Sequence, residues 1–329
     1  MFQDSSISKC IMYNRFMSKV KLNNITKYFE ESTALNDVSF NIKEGECLAV
    51  VGPSGSGKST ILRIIAGLLD PSSGEVFIDN KNMTYSKPKD RNLTFVFQNL
   101  ALYPHLTVKQ NIEFSIKKNM SKEKLTMHVE TIANELDIFK HLNKRPHELS
   151  GGEQQRVALA RSLATNADII LMDEPLASLD TSLKREITDL ILRIKTEEKK
   201  TIIYVTHDHN EAMKLGDKIL VLNGGEVEQF SDVSEVYSHP TNPFVAQFFG
   251  THPMNVFKYH GKLCGVRRED IYIVEDGIKV QVIDVKTIGG DIFVSFTYKN
   301  QRLVLLTREN NIDIGDEINI QFKSLHEFQ

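Results

Sequence analysis

No apolar run in the sequence approaches the 18 or more residues that a membrane-spanning helix needs, so the chain does not itself cross a bilayer as a helix. It has only three cysteines, Cys10, Cys47 and Cys264, far apart and odd in number. That excludes a disulfide scaffold and points to a reduced, cytosolic chain. Charge excess is lacking too: 40 basic against 43 acidic residues leave a formal net charge of −3. A dedicated nucleic-acid binder needs a basic face to neutralise phosphates, and this balance argues against one. Internal repeats and low-complexity tracts are also missing. Residues 1–16 have no apolar core of signal-peptide length, and Asp4 interrupts what little there is. They read as a disordered extension, and Met17 would be a tidier domain opening.

What is present suits a globular protein. Hydrophobic residues make up 41% and charged residues 25% of 329 positions, enough for ordinary cores. At roughly 150 residues per domain the length suggests two domains. From residue 18 onward short β-rich runs alternate with helical patterns. Ser18–Leu22 and Val38–Ile42 read as strands, and Cys47–Val51 is an unbroken apolar run of the kind covered on both faces of a sheet. Thr60–Leu69 switches to helical spacing, with Ile61, Ile64, Ile65 and Leu68 on one stripe. Val76–Asp79, Leu93–Phe97, Asp168–Met172 and Thr201–Val205 add strands, and Lys122–Phe139 adds a helix. Leu183, Ile187, Leu190 and Ile194 repeat the helical spacing. Such alternation implies an α/β domain around a largely parallel sheet.

After Pro240 the texture changes. Pro240, Pro243 and Pro253 punctuate a connecting stretch, followed by period-two runs at Ile278–Val285, Ile292–Tyr298, Arg302–Leu306 and Glu317–Phe322. Turn signals at Asp276-Gly277, Gly289-Gly290 and Lys299-Asn300 separate or precede them. The expected organisation is an extension over 1–16, an α/β domain over 17–249, and a small all-β, barrel-like domain over 250–329.

Three motifs carry chemistry. Gly52-Pro53-Ser54-Gly55-Ser56-Gly57-Lys58-Ser59-Thr60 fits G-x-x-x-x-G-K-[ST]. Its glycines let consecutive N–H groups converge on phosphate oxygens, and the helix that follows adds its N-terminal partial charge. Lys58 would reach the β and γ phosphates and the Ser59 hydroxyl would ligate Mg²⁺. A chance Gly/Ser-rich turn would lack the apolar strand before it and the apolar helix after it. Second, DIILMDEP at Asp168–Pro175 delivers Asp173 to the carboxyl end of the sheet, with Glu174 beside it to polarise water. Third, Leu149-Ser150-Gly151-Gly152-Glu153-Gln154-Gln155-Arg156 precedes an apolar helix. Alone it is a Ser-initiated helix start. Beside a complete phosphate loop it is a second phosphate-binding geometry, economically explained if it serves a nucleotide held by a second copy.

Together with Thr206-His207-Asp208, these motifs resemble the ATP-binding cassette (ABC) ATPases, in that family's order. The Lys58 to Ser150 interval of 92 residues and the Asp173 to His207 interval of 34 resemble transporter cassettes. The resemblance implies a P-loop ABC ATPase fold with a helical subdomain, ATP and Mg²⁺ as ligands, and hydrolysis with Glu174, His207, Lys58 and Gln98 as catalytic residues. It implies nucleotide contacts from Phe29, the Gly52–Thr60 loop (Gly52, Pro53, Ser54, Gly55, Ser56, Gly57, Lys58, Ser59, Thr60), Gln98, Asp173 and His207. Tyr28 is the one-residue-shifted alternative to Phe29 for stacking on adenine, and either could be core. Ser59, Gln98 and Asp173 would hold the metal. A second copy would contribute Ser150, Gly151, Gly152, Glu153 and Asp180, the last in a loop with Ser178 and Leu179. Glu153 stands where the family most often has Gln.

Ala101–Val108, Glu211-Ala212-Met213, Pro243–Gly250 and Gly250-Thr251-His252-Pro253-Met254-Asn255 resemble importer subunits of the maltose and glycerol-phosphate type. Gly265-Val266-Arg267-Arg268-Glu269-Asp270 resembles the opening of that subfamily's OB-like regulatory tail, with Arg268 in place of a proline, and Leu325–Phe328 resembles its last strand. The resemblance implies a peripheral protein on the cytoplasmic face of the membrane. It would act with a second copy of itself, two membrane permease subunits and an external solute-binding protein, without nucleic acid. Import of a non-sugar solute such as a polyamine, iron or sulfate is the alternative within transport, and a soluble ABC ATPase the alternative outside it.

Overall fold

The computed structural model describes residues 18–30, 32–116, 120–177 and 179–328. The expected extension at 1–16 and Ser178 lie outside the described residues. The chain forms two compact units, one ending at Phe230 and one starting at Ser231.

The strands of the first unit are β1 (Ser18–Phe29), β2 (Ser32–Lys43), β3 (Cys47–Val51), β4 (Ser73–Ile78), β5 (Lys81–Asn82), β6 (Leu93–Val96), β7 (Ile169–Asp173), β8 (Thr201–Val205), β9 (Lys218–Asn223) and β10 (Glu226–Asp232). Its helices are α1 (Lys58–Ala66), α2 (Val108–Phe114), α3 (Lys122–Glu135), α4 (Gly151–Leu163), α5 (Thr181–Glu197) and α6 (His209–Leu215). The strands make an antiparallel sheet in the order β2-β1-β4-β5 and a six-stranded sheet in the order β10-β9-β3-β8-β7-β6. In the larger sheet β3 pairs in parallel with β8 and β9, and β7 with β6 and β8.

The apolar runs are buried throughout because successive residues serve opposite faces. Ile170 and Met172 of β7, with Ile202 and Tyr204 of β8, join a core containing Val129, Val157, Leu159 and Ile191 from the helices. Ile169, Leu171, Ile203 and Val205 join the other core, with Ile61, Ile64 and Ile65 of α1 and Val20, Leu22 and Val38 of the antiparallel sheet. A strand used on both faces cannot alternate apolar with polar, which is why these segments read as continuous apolar runs.

Helix α1 ends at Ala66, three residues short of the expected Leu69. Gly67 takes φ 70° there and returns its N–H to the Arg63 and Ile64 carbonyls, a left-handed stop. Helix α3 likewise ends at Glu135, and a separate 3-10 turn spans Phe139–His141. Buried Arg91 reinforces the end of α1 by donating to the Ile64 and Ile65 carbonyls from Nη1 and to Thr84 O from Nη2.

The second unit contains α7 (Val233–Ser238), α8 (Pro243–Phe248), β11 (Asn255–Tyr259), β12 (Lys262–Val266), β13 (Ile271–Ile288), β14 (Asp291–Tyr298), β15 (Gln301–Thr307), β16 (Glu317–Phe322) and β17 (His326–Glu327). These form two antiparallel sheets, β11-β12-β17 and β15-β14-β13-β16. The unit starts ahead of residue 250 because its own side chains hold α7 and α8. Buried Arg267 donates to Tyr237 O, Phe249 O and His252 O, and Ala246 packs with Met254 and Phe328.

Gly289-Gly290 and Lys299-Asn300, all at positive φ, turn the chain between β13, β14 and β15 as their composition suggests. Asp276-Gly277 does not make a turn. β13 runs through it, and the register slips so that Ile273 and Ile278 both pair with Ile320. The signal marks a bulge in which Gly277 lies against the Ile320 carbonyl, where a Cβ would come within 2.6 Å. Among the described residues no helix is long and apolar enough to cross a membrane.

Candidate functional site

The loop after β3 wraps back on itself so closely that side chains are excluded at two glycines. A Cβ on Gly52 would lie 2.3 Å from Leu222 O, and one on Gly57 would lie 2.5 Å from Ala34 O. Gly57 also takes φ 99° as the cap of α1. Inside this loop Lys58 is buried and donates from Nζ to Gly52 O and Pro53 O, each at 2.8 Å. Burial pulls its ammonium below the usual lysine range, while the Glu174 and Asp173 carboxylates act the other way. Ser56 Oγ is buried without a hydrogen-bond partner among the described residues. A hydroxyl and an ammonium held in a glycine loop, with the amides of α1 behind them, fit a polyphosphate.

The loop faces a cleft of about 520 Å³ lined by Ala34, Ser54 to Thr60, Glu174 and His207. Strand β7 brings Asp173 to its carboxyl end, where Oδ1 accepts from Ser59 Oγ at 2.9 Å. Burial raises the Asp173 carboxyl, the Ser59 hydrogen bond lowers it, and Glu174 raises it further. A hydroxyl and a carboxylate at a phosphate loop are hard oxygen donors, the chemistry a magnesium ion takes.

Glu174 follows at φ 45°, a left-handed conformation unfavourable for a glutamate, anchored by its N–H donating to Val205 O. The turn swings its carboxylate off the strand toward two neighbours. Gln98 Nε2 reaches Glu174 Oε2 at 3.4 Å, and His207 Nδ1 lies 3.3 Å from the same oxygen. Gln98 and Asp173 also line a second cleft of about 350 Å³ with Arg63, Phe97 and Asn99. Gln98, Asp173, Glu174 and His207 from three separate strand ends, and Ser59 from the phosphate loop, therefore converge within one region.

The expected residues at the start of α4, Asp180, and the Phe29/Tyr28 pair stand apart from it. Ser150 caps α4 in a reciprocal box with Glu153: Ser150 Oγ accepts from the Glu153 N–H, and Glu153 Oε2 accepts from the Ser150 N–H at 2.8 Å. Asp180 caps α5 through the Ser182 and Leu183 N–H groups. Neither α4's start nor Asp180 lines the loop's cleft in this chain. Phe29 and Tyr28 are 47% and 57% exposed at the end of β1, so neither belongs to the core.

Motif reading missed the groups that hold these residues. Glu211 Oε2 accepts from Tyr204 OH at 2.8 Å and Thr206 Oγ1 at 2.7 Å, fixing the strand end that carries His207. Fully buried Asn111 donates to Tyr103 O, Leu106 O and Thr107 O, and Arg161 donates to the Leu100 and Ala101 carbonyls. These two shape the segment after Gln98. An asparagine inside α2 and an arginine near the end of α4 carry no signal of such partners.

Comparison with known proteins agrees with this geometry. A family model described as "ABC transporter" matches residues 35–177. The sn-glycerol-3-phosphate import ATP-binding protein UgpC of Ruegeria pomeroyi is 41% identical over 240 residues, which cover 73% of this chain and 68% of that one. The oligosaccharides import ATP-binding protein MsmX of Bacillus subtilis is 34% identical over 93% of this chain and 95% of its own. Among solved structures, the dimeric ABC transporter cassette MJ0796 superposes with a TM-score of 0.60 at 40% identity, over 65% of this chain and 98% of that one. Its post-hydrolysis state, bound to ADP and Pi, gives 0.60 at 41% over the same shares. The likeness to MsmX, which runs through nearly the whole of both chains, leaves one conclusion: this protein belongs to the ATP-binding subunits of ABC transporters and is an ATPase.

Proposed function

We propose that this chain is the ATP-hydrolysing subunit of an importer for a sugar, polyol or glycerol phosphate, docked on two permease subunits at the cytoplasmic face of the membrane. An external solute-binding protein would supply the solute. The observation carrying the hydrolytic reading is the meeting of Gln98 and His207 at one oxygen of Glu174, beside the phosphate loop. Glu174 takes a proton from the attacking water as its oxygen bonds to the γ-phosphorus and the bond to the β–γ bridging oxygen breaks. Gln98 orients Glu174 and the water, while His207 and Lys58 meet charge building on the γ-phosphate oxygens. Ser59, Asp173 and Gln98 would hold Mg²⁺, which neutralises phosphate charge when bound. Phe29 or Tyr28, already exposed, offers a ring to adenine.

The remaining motif residues act from a second copy. Gly151 has open space where a Cβ would be, and Ser150 is exposed, so a partner's phosphates can approach the start of α4. Asp180 lies in the same interface. Residues 17–249 would work as the nucleotide-binding domain and 250–329 as an OB-like regulatory domain. The import names of the relatives support the solute class.

Co-purification from membranes through a tag on this chain tests the reading. Two multi-span proteins should be recovered with ATPase activity that Glu174→Gln removes. Recovery of ribosomes or nucleic acid without a membrane protein would contradict import and leave the ATPase standing.

A further inference from the structure

The start of α4 is tied to a buried histidine. Glu153 Oε2 accepts from both the Ser150 N–H, at 2.8 Å, and the Ser150 hydroxyl, at 3.0 Å. Its other oxygen, Oε1, lies 2.7 Å from Nε2 of His141, which the Phe139–His141 turn holds at 5% exposure. Neither ring nitrogen of His141 makes a hydrogen bond among the described residues, so its approach to Glu153 is a close charge contact without hydrogen-bond alignment. Lys144 is the other charged group acting on this carboxylate. The Ser150 backbone N–H first, and then its hydroxyl, hold the Glu153 carboxyl below the usual glutamate range, so the group is an anion at neutral pH.

We infer that Glu153 is a positioning residue that restrains Ser150, holding its hydroxyl away from the nucleotide of the second copy. The inference rests on the two-copy reading of the site. A phosphate oxygen only accepts, so Ser150 must donate its one hydroxyl proton to bind it. That proton is already given to a carboxylate, and hydrogen bonds to an ionised acceptor are roughly twice as strong as neutral ones. Closing the two copies on ATP must break this bond and bring a fixed negative charge toward phosphate. A glutamine at the same place would keep its carbonyl on the Ser150 N–H, release the hydroxyl more readily and remove the charge. His141, when protonated, offsets the carboxylate charge from behind.

The test is ATP-driven dimerisation of the full chain carrying Glu174→Gln, followed by sedimentation velocity in ATP and Mg²⁺, with Ser150→Ala, Glu153→Gln and the pair added. Glu153→Gln should lower the ATP concentration for half-dimerisation by roughly three- to tenfold, the difference between a charged and a neutral hydrogen bond. In the Ser150→Ala background the same substitution should have a much smaller effect. With Glu174 restored, Glu153→Gln should lower KM for ATP. Mere loss of a helix cap would act in the opposite direction and raise both values. An unchanged or raised ATP requirement overturns the inference, and so does an equal fall in the Ser150→Ala background. If Ser150→Ala itself leaves dimerisation unaltered, the two-copy reading fails and this inference falls with it. If Ser150→Ala weakens the dimer and Glu153→Gln does not strengthen it, the restraint alone is refuted.

Discussion

His207 Nδ1 lies 3.3 Å from Glu174 Oε2, although the histidine is 62% exposed on its side chain and the glutamate 22%. The pair is therefore open to the cleft on the histidine side and sheltered on the carboxylate side. Removing the imidazole would leave Glu174 anchored, because its turn is held by the Val205 carbonyl. His207→Ala is thus expected to lower kcat by roughly a hundredfold, the usual scale for one donor to developing charge, with little change in ATP affinity. Phosphate release and equilibrium nucleotide binding measure the two separately.

Asp173→Asn separates stability from chemistry. Burial raises the Asp173 carboxyl above the usual aspartate range. Such a group stabilises the fold below its unfolded value, and that contribution is lost as pH rises through the folded value. At neutral pH the ionised carboxylate is a liability in the metal-free chain. The asparagine variant should melt higher by roughly 1–3 °C at pH 7 without Mg²⁺, with the gap closing as pH falls toward the aspartate range. Its Mg²⁺-dependent hydrolysis should be lost. Calorimetry across pH checks the first, and phosphate release checks the second.

Two glycines of the phosphate loop should respond differently to alanine. At Gly57 the new Cβ meets Ala34 O at 2.5 Å and Leu35 Cδ2 at 2.6 Å under a φ of +99°. Gly55 has φ +80° with open space around it. Gly57→Ala should cost about 2 kcal/mol or more, and Gly55→Ala nearer 1 kcal/mol for the backbone alone. Urea unfolding of the two variants ranks them.

Cys47 should be chemically silent. It is fully buried in β3, and burial pushes its thiol up to about 12, with Lys195 acting against the shift. Iodoacetamide should leave it unmodified in the native chain and modify it in denaturant, read by peptide mass spectrometry.

The phosphate loop and the strands β3, β7 and β8 were legible because their determinants are local: glycine conformations, and apolar runs whose alternate residues fill two cores. What the sequence could not show was contact across long intervals. Gln98 meets Glu174 across 76 residues, Arg161 holds carbonyls 60 residues earlier, and neither is announced by its neighbours. Asp276-Gly277 misled for a related reason. The dipeptide permits a turn, but the pairing of β13 with β16 decides for a bulge. Phe29 and Tyr28 could be read as core by type alone, and only their exposure separates them from it.

Single-turnover hydrolysis of saturating ATP by the wild-type chain and by Glu174→Gln tests the central claim most directly. Glu174 is the carboxylate on which Gln98 and His207 converge, so the variant should bind ATP and hydrolyse it at least about a hundredfold more slowly. A Glu174→Gln chain that hydrolyses within a few-fold of wild type would place the base elsewhere and contradict the account.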